Sequence, residues 1–185
     1  MKNAVRVLVI IMLSAGMTSC DWIKGLADIE IDTNIEGNLD VVTDASVLKS
    51  TNAHGFDESA TIDVLNADLE EYEDLIEDYK TQSITLTVLS IDSAGFAVTG
   101  VELLAGTEFG ISNTMSGGYT WTLNQNWAID AGFSLSLDAA SYDAIDDILS
   151  DQVPITVSAV GTCNKGNIHF RLNYDIDVTV VSNPL

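Results

Sequence analysis

Hydrophobic and polar residues alternate in two long stretches, one near each end of the chain. Over 29–41, isoleucine, leucine and valine occupy one parity, and mostly acidic residues or asparagines occupy the other. Over 168–180, apolar residues hold a single parity throughout. A period of two is typical of a strand with one buried face, so each stretch predicts a long half-buried β-strand. Gly37 interrupts the first pattern and predicts a bulge there.

Shorter alternating stretches fill most of the chain between these strands, whereas two segments have helical spacing. Apolar residues of 69–79 recur at intervals of three and four opposite an acidic side, and 141–149 repeats this spacing. Strands dominate, and turn residues separate them at short intervals. The pattern therefore predicts a mainly β fold, an antiparallel β-sandwich with two short helices in the connections. A mixed sheet with parallel strands joined through helices is the alternative.

The first twenty residues have a different organisation. Lys2 and Arg6 precede an apolar run over 7–13, and small and polar residues then lead to the motif MTSC at 17–20. The apolar run is shorter than the roughly 20 residues needed to span a bilayer, so it predicts a secretory signal peptide. The motif resembles the lipobox of bacterial lipoproteins, in which a signal peptidase cuts before a cysteine that then carries lipid. That cysteine would be Cys20.

This resemblance implies a domain organisation and a location. It implies a signal peptide over 1–19 and a lipid-anchored tether over 20–28, and the strand pattern predicts a single β-sandwich domain over 29–185. The protein is then expected in the cell envelope, held to a bacterial membrane by the lipid on Cys20 and facing the periplasm or the exterior. The predicted domain resembles small uncharacterised β-sandwich lipoproteins of Gram-negative envelopes, and that resemblance implies no activity.

Lipidation of Cys20 would leave Cys163 as the one remaining cysteine of the mature chain. No intramolecular disulfide is then expected. Cys163 shares the parity of the apolar residues in the strand that begins near Ile155. The sequence therefore predicts a buried free thiol at this position.

The charge balance restricts the partners of the protein. The chain has 7 Lys and Arg against 28 Asp and Glu, which gives a net charge of −21. A surface of this sign repels phosphate groups, so nucleic acid is not expected as a partner. Ca²⁺ requires several clustered oxygen ligands, and adjacent acidic strands can supply them. The candidate ligands are Asp32, Glu36, Asp175 and Asp177. The alternative is that the carboxylates form a solvated surface and that the protein has no cofactor.

No complete set of catalytic motifs is found in the sequence: Ser46 and Lys49 match S-x-x-K, but the S-D-N and K-T-G motifs that accompany it in penicillin-binding proteins are missing. The sequence also contains no C-x-x-C, H-E-x-x-H or G-x-S-x-G, so it predicts a binding or structural module and not an enzyme. Three aromatic residues near glycines and amides predict a sugar-binding platform on loops, with a place in the core as the alternative. These residues are Tyr119, Trp121 and Trp127. Other candidate functions are a carbohydrate- or surface-binding lipoprotein that uses these loops, and a lipid carrier with a cavity between its sheets. An envelope protein or a glycan is the expected kind of partner.

Overall fold

The structure is a computed structural model that describes residues 29–45, 53–93, 96–129, 133–134 and 139–183. The predicted signal peptide and the tether, including Cys20, lie outside the described residues. In chain order the elements are β1 (Ile29–Val42), β2 (His54–Ile62), a 3₁₀ helix (Glu70–Leu75), β3 (Ile76–Ser93), β4 (Phe96–Ala97), β5 (Glu102–Leu103), β6 (Glu108–Ser112), β7 (Gly118–Thr122), β8 (Trp127–Ala128), β9 (Phe133–Ser134), α1 (Ala139–Ser150), β10 (Ile155–Cys163) and β11 (His169–Ser182).

Two antiparallel sheets pack together, which confirms the predicted β-sandwich. Sheet 1 has the order β1–β11–β3, and β4 and β9 pair with the far edge of β3. In sheet 2, β2 pairs with the whole length of β10 on one side. On the other side of β10 lie β6 and β5, and these pair in turn with β7 and β8. Every described strand pair is antiparallel, so the alternative with parallel strands is wrong for these sheets.

The two long strands predicted near the chain ends are neighbours in sheet 1. β1 pairs with β11 without a break from Ile29 opposite Ser182 to Val42 opposite His169. The predicted bulge at Gly37 is therefore wrong. Ile62 of β2 packs against the backbone at Gly37, and a Cβ atom there would overlap with the end of the Ile62 side chain. The absence of a side chain at Gly37 thus lets β1 and β2, the edge strands of the two sheets, approach closely. Their contact closes one side of the sandwich.

The segment 69–79 departs from its predicted helix. A 3₁₀ helix of six residues is followed by a strand of eighteen residues, β3. The β3–β11 register shifts three times, and each shift inserts a bulge in β3. Ile76 and Tyr79 both pack on the core, although they are three residues apart in the chain. A regular strand would separate two core residues by an even number, and the bulge at Glu77 adds the extra residue. The resulting spacing of three is the same as that of a helix. The extra residues at the bulges are Glu77, Gln82 and Leu89.

Helix α1 closes the other side of the sandwich. It packs against β3, whose first half pairs with β11 on one side and with no described strand on the other. The Thr81 N–H donates to Asp146 Oδ1 of the helix at 2.7 Å. At the helix start, the Tyr119 hydroxyl lies 2.6 Å from Ser141 Oγ, which joins α1 to β7 of the other sheet. Burial raises the pKa of Asp146. Side chains of α1 therefore take the place of a strand at an otherwise open edge.

The two sheets meet directly at the centre of the core. The hydroxyl of Tyr174, on β11, donates to the Ser158 carbonyl oxygen of β10 at 2.7 Å. Phe56 of β2 packs edge-to-face against Phe170 of β11, with ring centroids 6.0 Å apart. Burial also raises the pKa of Tyr174 well above its ordinary value. The space between the sheets is therefore filled at these positions.

The predicted buried thiol is confirmed, because Cys163 is a free cysteine with 0% exposure. Burial raises its pKa, and the thiolate is the form that reacts with maleimides. We expect a Cys20→Ser variant, in which Cys163 is the only thiol, to react with a maleimide far more slowly when native than in denaturant. Labelling followed by mass spectrometry measures both rates. Equal rates in the two states would contradict the buried position.

Candidate functional site

The four predicted calcium ligands all lie on the outer face of sheet 1. Asp32 and Glu36 project from β1, and Asp175 and Asp177 project from the neighbouring β11. The register sets Glu36 directly opposite Asp175. Like charges in that position repel and destabilise the strand pair. The structure therefore brings the predicted residues onto one face of adjacent strands.

Neutral side chains already donate hydrogen bonds to these carboxylates. Asn34 Nδ2 lies between the opposed pair and donates to Glu36 Oε1 at 2.6 Å and to Asp175 Oδ1 at 3.2 Å. Two hydroxyls serve the other ligands: Ser83 Oγ donates to Asp177 Oδ2 at 2.5 Å, and Thr179 Oγ1 donates to Asp32 Oδ1 at 2.8 Å. Across the described ranges, no three His, Cys, Asp or Glu side chains are grouped so that they could hold a metal ion.

The far end of this acidic face has the one strong ion pair of β1 and β11. Arg171 donates to both oxygens of Asp40, from Nε at 2.7 Å and from Nη2 at 3.1 Å. The ring of His169 lies 3.5 Å from the same carboxylate. The Arg171 guanidinium lowers the pKa of Asp40. Because all three side chains are about half exposed, the pair adds little to stability.

Calcium and sodium salts should raise the melting temperature equally. Screening of the acidic face by either salt reduces repulsion at a net charge of −21. Binding to a specific site would add a further shift, because an ion that binds only the native state stabilises it by mass action. A thermal melt in millimolar CaCl₂ against NaCl of equal ionic strength measures the difference. A larger shift with calcium that Asp32→Asn with Asp175→Asn abolishes would instead establish a calcium site.

The predicted sugar-binding aromatics pack into the core. Trp121 and Trp127 are 9% and 7% exposed, and both contact Phe109, with ring centroids 5.9 and 6.4 Å away. Tyr119 stacks on Trp121 at 6.3 Å. The two indole rings are therefore buried, and Tyr119 is half-buried against the core beside them. The three residues do not form an exposed platform, and the core alternative describes their position.

The outer face of sheet 2 holds a feature that the sequence reasoning missed. Strand register aligns short hydroxyl side chains into two adjacent rows across β2, β10, β6 and β7. The fourth position of one row and the third of the other are glycines, Gly118 and Gly110. We call the following six residues the hydroxyl face: Thr61, Thr156 and Ser112 in one row, and Ser59, Ser158 and Thr120 in the next.

Comparisons with known proteins show no family for this chain. No protein-family model matches it, and no curated protein matches it. Among solved structures, it is similar to the crystal structure of decameric BFDV capsid protein at 8% identity and a TM-score of 0.40, over 83% of this chain and 99% of that one. A similarity this distant carries no argument about function. In the described part of the chain, no helix has the length and apolar character required to cross a membrane.

Proposed function

We propose that this protein is a lipid-anchored cell-envelope module that binds a partner or serves as a structural element, without catalysing a reaction. The observation that carries the proposal is the lipobox-like motif at 17–20, close before the folded domain. Eight residues separate Cys20 from Ile29, where β1 begins. Fully extended, they reach roughly 27 Å, so the domain would lie near the membrane surface.

The position of β1 supports a defined orientation under this proposal. The tether would enter at Ile29, and β1 runs from there for fourteen residues to Val42. At about 3.3 Å per residue, these strand ends lie roughly 45 Å apart. One end of the sandwich would therefore face the membrane, and the turns near Val42 and His169 would face away from it.

The two other candidate functions receive less support. A sugar platform built on Trp121 and Trp127 requires exposed rings, and both rings are buried. A lipid carrier requires an open space between the sheets, and the hydrogen bond from Tyr174 to Ser158 crosses that space at its centre. A polar surface of the sandwich is therefore the better candidate for contact with a partner.

Replacing Cys20 by Ala should release the protein from the membrane or leave it unprocessed. Each buried acyl CH₂ contributes about 0.8 kcal/mol, so two or more chains hold a protein firmly, and without them the domain has no lipid anchor. Fractionation of a bacterial host that expresses the full chain measures the distribution. Cys163→Ala is the matched control and should stay in the membrane fraction. Membrane retention of a correctly cleaved Cys20→Ala protein would refute the anchor.

A further inference from the structure

Helix α1 contacts the open edge of β3 through two described hydrogen bonds, which together we call the edge contact. The Thr81 N–H donates to Asp146 Oδ1 at 2.7 Å, and Gln152 Nε2, just after the end of α1, donates to the Ile76 carbonyl oxygen at 3.4 Å. The helix side thus pairs with one donor and one acceptor of the strand edge. An unpaired strand edge can pair with a strand of another chain, so the edge contact protects this part of β3.

Asp146 is the member of the edge contact that can change its charge. Its side chain is half-buried, and burial disfavours the charged form of a carboxyl group. The hydrogen bond from Thr81 acts in the opposite direction, but two like charges, Asp78 of β3 and Asp143 of α1, disfavour the charged form further. The balance raises the pKa of Asp146, so the neutral carboxyl group is the form that the edge contact favours.

Helix α1 also carries its negative charges at an unfavourable end. Its first turn has no acidic residue, and its last turn has no basic one. Asp147 lies in the last turn, and Asp146 lies directly before it. Negative charge near the C-terminus of a helix opposes the helix dipole. Protonation of Asp146 therefore favours the helix as well as its contact with β3.

The other described ionisable side chains around α1 form no ion pair with Asp146. Lys80, the cation of β3, lies 3.9 Å from Glu30 of β1 instead. Ionised Asp146 is therefore surrounded mainly by groups that have its own charge or none. The remaining ones, on α1 and on the strands packed against it, are acids and phenols: Glu77, Tyr79 and Asp92 on β3, Glu108 on β6, Tyr119 on β7, and Tyr142 and Asp147 on α1.

We propose that Asp146 makes the edge contact respond to acid: protonation tightens α1 against the edge of β3, and ionisation loosens it. The inference goes beyond the proposed function and does not depend on the lipid anchor. A neutral carboxyl group still accepts the Thr81 N–H through its carbonyl oxygen, so this hydrogen bond survives protonation. The docked helix binds the proton more tightly than the released one. The edge contact therefore strengthens as the pH falls through the raised pKa of Asp146 toward the ordinary value of 3.8.

Hydrogen exchange of the full lipoprotein in detergent micelles, followed by mass spectrometry at about pH 7 and about pH 5, tests the proposal. The protection factor of the Thr81 amide, corrected for the intrinsic effect of pH on exchange, measures how often the edge contact opens. In the wild type it should be higher at the lower pH, by about twofold or more. In Asp146→Asn, which has a neutral side chain of the same shape, it should already be high at the higher pH and should change less with pH.

Asp57→Asn is the matched control, because it removes one exposed carboxylate on β2, on the opposite side of the sandwich. It should keep the pH response of the wild type, and melting temperatures establish that each variant is folded. The proposal is overturned if the wild-type Thr81 amide gains no protection at the lower pH, or if Asp146→Asn gains as much as the wild type.

Two further outcomes would also overturn it. Lower protection in Asp146→Asn than in the wild type at the higher pH would mean that the carboxylate is the form that holds the helix. Equal protection of the Thr81 amide and of the Ile176 amide, at the centre of sheet 1, would mean that α1 does not open separately from the whole domain.

Discussion

Replacing Phe109 by Ala is expected to lower the free energy of unfolding by about 3–5 kcal/mol, the range for truncating a buried aromatic residue. Phe109 is fully buried on β6 and stands directly opposite Trp121 of β7. It also contacts Trp127, so it holds both indole rings in the core. Its loss would leave a cavity between these rings.

Denaturant unfolding of wild type, Phe109→Ala and Phe109→Leu measures this effect. The leucine variant fills more of the space and should lose less than half as much stability. Thr120→Ala is a control on the same hairpin, at an exposed position, and should change stability by about 0.5 kcal/mol or less. A loss below about 1 kcal/mol for Phe109→Ala would mean that the aromatic residues are not packed in the core.

Replacing Gly37 by Ala is expected to lower the free energy of unfolding by about 1–3 kcal/mol, because overpacking of a filled site forces side chains or backbone to move. The new Cβ atom would overlap with Ile62, which packs across from the opposite sheet. For a domain of this size, each kcal/mol lowers the melting temperature by about 2–4 °C. A drop of several degrees should therefore be measured.

A double-mutant cycle shows whether Ile62 is the cause. In an Ile62→Ala background the overlapping atoms are gone, so adding Gly37→Ala should cost little more. Gly55→Ala is the matched control in a strand, since a Cβ there meets only Asp44 Oδ2 at 3.3 Å and a carbonyl oxygen at 4.0 Å. It should be nearly neutral. Equal costs of Gly37→Ala in both backgrounds would contradict the close approach of β1 and β2.

Alternation along the sequence predicted the strands that have a regular register. β1 and β11 were predicted correctly because each keeps one parity, and each has a single buried face. The position of Cys163 followed from the same rule. By contrast, the bulges of β3 insert single residues that break the parity, so Ile76 and Tyr79 had helical spacing. A bulge depends on the partner strand, which the local sequence does not contain.

The candidate sites depended on pairing between distant strands, which limits what a sequence can predict. Glu36 and Asp175 were recognised as acidic strand residues, but only the register places them opposite each other with Asn34 between them. Trp121 alternates with polar threonines, a pattern that fits the core as well as an exposed edge. The hydroxyl face draws its residues from four strands, and no single stretch of sequence contains more than two of them.

The intact mass of the protein extracted from membranes is the most direct test of the central claim, the lipid anchor. Expressed from its full sequence in a bacterial host, the protein should lack residues 1–19 and begin at Cys20. Its mass should exceed that of the polypeptide by a diacylglyceryl group, with or without a further acyl chain, and the excess should map to the N-terminal peptide. A soluble protein whose mass equals that of an unmodified chain, with a free thiol at Cys20, would contradict the claim.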